Sequence, residues 1–137
     1  MNILFFLKPK IEVSYLTDES TVRQGIEKLR SSGYTAIPII DKLGRYVGTA
    51  TEGDFLWLLL NLGGGDLKAT EHMSVCHMKL RTKNEAVSVD AKLEDLFLKT
   101  MNQNFVPVVD GRNIFIGIIT RRDVLQYFYS RIEKDSE

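Results

Sequence analysis

Residues 36–54 and 105–123 carry one pattern 69 positions apart, and the two stretches superimpose without a gap. Ala36-Ile37-Pro38-Ile39-Ile40-Asp41 lies over Phe105-Val106-Pro107-Val108-Val109-Asp110. Gly48 then falls on Gly117, Thr51 on Thr120 and Asp54 on Asp123. Upstream, Val22 and Ile26 match Leu93 and Phe97 at an offset of 71, so one connection is two residues shorter in the second copy. Self-similarity of this kind restricts the chain to one supersecondary unit used twice.

Each copy reads as βαββα. An extended piece (13–16; 86–89) precedes a helix with apolar residues at helical spacing, Val22, Ile26 and Leu29 in one copy and Leu93, Leu96 and Phe97 in the other. Ser20 and Asp90 are the start signals near those helices. Two β-branched runs follow, 37–40 with 46–50 and 106–109 with 114–119. They are joined by Asp41-Lys42-Leu43-Gly44 and Asp110-Gly111-Arg112-Asn113, which predict hairpins. A second helix, over 52–62 and over 121–132, closes each copy. Gly63-Gly64-Gly65-Asp66 breaks the chain and places the division at 1–67 and 68–137.

A unit of that size buries too little to stand alone, so the expected fold is α+β, with the two repeats packed sheet to sheet. The closing helices are apolar nearly all round (Phe55 to Leu60; Val124, Leu125, Tyr127, Phe128, Tyr129) and must be covered on more than one side. Homodimerisation through helices 52–62 and 121–132 is expected, the alternative being intrachain packing.

The charge balance removes several functions. Lys plus Arg equals Asp plus Glu, 18 against 18, without the basic excess that phosphate-mediated nucleic-acid binding requires. Tyr127, Phe128 and Tyr129 near Arg121, Arg122 and Arg131 are better read as core and dimer surface than as stacking platforms. The single cysteine, Cys76, points to a reducing cytoplasm. The apolar runs at 3–7 and 55–60 are too short for a secretory core or a membrane span, so a soluble protein is expected. Glu71-His72 and Cys76-His77 match no zinc spacing, and no metal is expected. Nothing supplies a nucleophile, base and electrophile set, so the chain reads as a non-enzyme.

Chemistry concentrates in Gly-x-x-Thr-x-x-Asp at the strand-to-helix junction, Gly48 to Asp54 and Gly117 to Asp123. Glycine lets another group approach the backbone. The helix start offers free N–H groups to phosphate. Threonine donates to phosphate or ribose oxygens, and an ionised aspartate accepts from ribose hydroxyls. The competing reading is a helix capping box, with Thr51 or Thr120 at the N-cap and Asp54 or Asp123 three residues on. The copies differ beside it: Arg121-Arg122 would grip phosphate, while Glu52-Gly53 would not. The site anchored by Asp123 is therefore expected to bind a phosphate-bearing ligand more tightly.

The paired apolar-Pro-apolar-apolar-Asp strands and the doubled Gly-x-x-Thr-x-x-Asp motif resemble a tandem pair of CBS domains, a Bateman module, over roughly residues 11–132. The resemblance implies pseudo-twofold symmetry, two clefts between the repeats, and a ligand among AMP, ADP, ATP, S-adenosylmethionine or related adenosyl compounds. Asp54 and Asp123 would hold ribose, Thr51 and Thr120 would contact phosphate or ribose, and backbone beside Ile37-Pro38 and Val106-Pro107 would line adenine. Gly33 to Pro38 and Thr120-Arg121-Arg122 are also similar to stand-alone CBS proteins that bind cyclic di-AMP, in which a basic residue ahead of the first strand reaches the ligand. Lys8 and Lys10 are the candidates for that role. The implied function is regulatory, with an unidentified protein effector addressed in trans. The alternative is a structural dimerisation module with vestigial clefts.

Overall fold

The computed structural model describes residues 1–62 and 67–136. The glycine-rich break at 63–66 lies outside the described residues. A short strand, β1 (Lys8–Pro9), comes first, and the two repeats follow it. The first is β2 (Leu16–Thr17), α1 (Val22–Ser32), β3 (Ala36–Ile40), β4 (Tyr46–Thr51) and α2 (Glu52–Asn61). The second is β5 (Val87–Ser88), α3 (Leu93–Thr100), β6 (Phe105–Val109), β7 (Phe115–Thr120) and α4 (Arg121–Asp135). The βαββα order expected from the repeat is the order found.

One sheet runs β2-β3-β4 and the other β1-β7-β6-β5. In both, the short opening strand pairs in parallel with the central strand, and the hairpin is antiparallel. Equivalent register shifts interrupt the hairpins, between Ile39 and Ile40 and between Val108 and Val109. The turns are built alike as well. Asp41 Oδ1 accepts the Leu43 and Arg45 N–H groups at 2.9 Å each. Asp110 Oδ1 accepts those of Arg112 and Ile114 at 2.8 and 3.0 Å. These backbone donors hold both carboxyls below their ordinary pKa, and the Arg45 side chain adds to the effect at Asp41. Each turn closes through a left-handed residue, Gly44 (φ 84°) or Asn113 (φ 65°), two types that tolerate that region.

The helix starts differ from the sequence expectation. Thr21, not Ser20, caps α1, exchanging hydrogen bonds with Gln24 in a capping box. Helix α3 follows Lys92, which makes no side-chain cap, while Asp90 instead accepts from Ser88 Oγ at 2.6 Å.

The chain divides into two compact units, Ser14–Lys83 and Met1–Val13 together with Asn84–Glu137. The reason is core completion. In the unit of the second repeat, Ile3 and Phe6 (0% and 6% exposed) bury against Leu96, Val106, Val108, Ile119 and Val124. In the unit of the first, Val75 and Met78 bury against Leu16, Val22, Ile37, Ile39 and Phe55. Backbone bonds fasten this second segment, Val22 N–H to Met73 O at 2.8 Å and Val75 N–H to Ser20 O at 2.9 Å. Neither βαββα motif buries enough apolar surface alone. Each is finished by the stretch that precedes the other repeat.

Candidate functional site

The two Gly-x-x-Thr-x-x-Asp segments end the hairpins and begin α2 and α4. Thr51 and Thr120 have extended backbones at the N-cap, and each hydroxyl accepts the N–H three residues on, from Asp54 at 3.2 Å and from Asp123 at 3.1 Å. Beyond that the copies diverge. Asp54 turns back, its Oδ2 accepting the Thr51 N–H at 2.9 Å and its Oδ1 the Arg81 N–H at 3.0 Å. It is 3% exposed, and the Arg81 guanidinium lies 4.6 Å from the centre of the Trp57 ring. Here the capping alternative describes the residue. With both oxygens on backbone donors and water excluded, Asp54 as placed does not offer the ribose-holding group that the resemblance implies.

Asp123 is exposed, and its carboxylate meets no hydrogen-bond or ionic partner among the described residues. Next to it, Arg121 is fixed at its base. Its N–H donates to Asn104 O at 2.8 Å and its Nε to Gln103 O at 3.3 Å. Gln103 is in turn buried and tied to both backbone groups of Glu85 at 3.0 Å. Arg122 is exposed and unpaired among the described residues. A groove of about 520 Å³ opens here, lined by Asn104, Arg121, Arg122, Leu125, Gln126 and Tyr129. It combines two cationic side chains with an amide pair, a mixture suited to a phosphate-bearing compound. The first repeat has the exposed Glu52 in place of Arg121 and no side chain in place of Arg122.

Gly48 and Gly117 admit the chain's own segments. A Cβ on Gly117 would stand 2.2 Å from Lys8 O in β1, and one on Gly48 2.9 Å from Leu80 Cδ1. Ile37, Pro38, Val106 and Pro107 are buried within β3 and β6. Lys8 pairs with Ile118 in β1, and Lys10 lies in the turn that follows. Asn104, Gln103 and Gln126 were not among the residues singled out from the sequence, and Leu125 and Tyr129 were read there as packing surface. The repeat held a signal for one of them. Asn104 is 69 residues beyond Thr35, whose carbonyl accepts the Glu52 N–H at 3.0 Å, as that of Asn104 accepts the Arg121 N–H.

Two βαββα repeats with matched Gly-x-x-Thr-x-x-Asp junctions define a tandem α+β repeat fold. The CBS domain family model matches residues 9–61 and 79–130, and the chain belongs to that family. Among solved structures, it is similar to CbpB in complex with c-di-AMP, at 26% identity and a TM-score of 0.87, covering 99% of this chain and 89% of that one. It is also similar to CBSX2 in complex with AMP, at 25% identity and a TM-score of 0.73, covering 94% and 96%. A curated relative, inosine-5'-monophosphate dehydrogenase of Methanocaldococcus jannaschii, is 27% identical over 118 residues. That match covers 84% of this chain but 21% of the dehydrogenase, and a second, uncharacterised relative from the same organism is covered over 42%. The chain thus spans about a fifth to two fifths of the curated relatives it matches.

Proposed function

We propose that the protein is a regulatory sensor that binds an adenine nucleotide (AMP, ADP, ATP or cyclic di-AMP) and passes its occupancy to a partner protein in trans. The observation that carries this reading is the Asp123 carboxylate beside Arg122 at the start of α4, both exposed and without a partner among the described residues. A carboxylate accepting ribose hydroxyls and a guanidinium gripping phosphate are the two charged contacts a nucleotide needs. The helix N-terminus adds its positive end. Thr51, Asp54 and the glycines would serve mainly to shape the fold of their own units. The nucleotide complexes of the similar CbpB and CBSX2 support the ligand class.

The protein acts by binding and not by turnover. A ligand that prefers one arrangement of the chain shifts its population, and the partner reads the shift. The active species is a homodimer joined through α2 and α4, whose exposed stripes correspond: Leu56 and Leu60 on α2, Leu125 and Tyr129 on α4. Cys76 is a free, exposed thiol, which suits a reducing cytoplasm. No described helix is long and apolar enough to cross a membrane.

A thermal-shift panel with AMP, ADP, ATP, S-adenosylmethionine and cyclic di-AMP tests the reading, because a ligand selective for the folded state raises Tm. At least one is expected to do so in the wild type and to fail in Asp123→Asn. A flat panel would favour the purely structural dimer.

A further inference from the structure

We infer that the two repeats are unequal sensors: the chain's own linker closes the first motif, and Pro9 keeps the second open, so nucleotide is taken by the Asp123 motif alone. The inference rests on the adenine-nucleotide reading above and assigns its stoichiometry and the residue that sets it.

The segments that finish the two units correspond at an offset of 72 residues. Asn2 accepts the N–H of Leu4 to open one 3-10 turn, and Ser74 accepts that of Cys76 to open the other. Ile3 and Phe6 fill one core where Val75 and Met78 fill the other. Lys8 approaches Gly117 through its backbone carbonyl, and Leu80 approaches Gly48 through its side chain. The next residue decides the chemistry. In the first repeat it is Arg81, whose N–H reaches Asp54 Oδ1. In the second it is Pro9, paired with Gly117 in β1 and without an N–H to give. Asp54 is thus held by two bonds absent at Asp123, from the Arg81 amide and from the Thr51 N–H. The second repeat keeps a solvated acceptor and adds Arg121 and Arg122.

Isothermal titration of the full chain with ATP and with cyclic di-AMP tests this. No more than one ligand per chain is expected. Asp54→Asn should keep the wild-type Kd, although it lowers Tm. Asp123→Asn should weaken binding at least tenfold at nearly unchanged Tm, and Pro9→Ala, which restores an N–H, should weaken it several-fold. Amide hydrogen exchange needs no variant: the Arg81 N–H should stay equally protected at saturating ligand. Two ligands per chain or release of the Arg81 amide by ligand would overturn the inference and leave the nucleotide reading standing, whereas binding lost in Asp54→Asn but kept in Asp123→Asn would overturn the Asp123 site on which both rest. No binding of either nucleotide to the wild type would overturn both.

Discussion

At Asp54, replacing one carboxylate oxygen by an amide nitrogen puts a donor against a backbone N–H in a site that water does not reach. Asp54→Asn is therefore expected to destabilise by about 1–3 kcal/mol in urea denaturation, whereas Asp123→Asn, which breaks no protein contact, should stay within about 0.5 kcal/mol. The glycines separate in the same way. At Gly117 an added Cβ meets the Lys8 carbonyl, which belongs to a paired strand, and Gly117→Ala should cost about 1–3 kcal/mol or more. At Gly48 it meets only the end of the Leu80 side chain, which swings aside, so Gly48→Ala should cost under about 1 kcal/mol. Asp41 and Asp110 set an acid limit. Their folded pKa values lie below the ordinary 3.8, so their contribution is complete above that value and is lost as pH falls through the lower, folded values. Between pH 5 and 2 the urea midpoint of the Asp41→Asn/Asp110→Asn double variant should fall less steeply than that of the wild type.

The closing helices show how far periodicity carries and where it stops. Phe55 and Val124 turn into their cores, as the apolar pattern requires. Leu56, Trp57 and Leu60 on α2, with Leu125, Tyr129 and Ile132 on α4, are left at least 44% exposed. On α4 the last three recur at helical spacing and form one stripe, which is the surface assigned above to a second copy. Leu125→Glu together with Ile132→Glu should convert a dimer to a monomer in sedimentation velocity while leaving the far-ultraviolet circular dichroism unchanged. A wild type that sediments as a monomer would remove the dimer from the proposal.

For the whole chain, the crossing of the two covering segments predicts which pieces fold. A fragment spanning 14–83 contains every residue of its core, Val75 and Met78 included, and should melt cooperatively. A fragment spanning 1–67 lacks those two residues and carries Ile3 and Phe6 with nothing to bury them, so it should not. The repeat, the βαββα order, the hairpin turns and the Thr-x-x-Asp junctions were all legible in the sequence. Each is written in short-range patterns: an offset, a period of two or 3.6, a turn residue beside its strand. The partner of each covering segment was not legible, because Ile3 and Val75 look equally apolar whichever core receives them. Nor could Thr-x-x-Asp separate a cap from a ligand site, since both use the same atoms over the same four residues. The partners of Asp54 include a backbone donor 27 residues away at Arg81, and only the tertiary structure brings the two together.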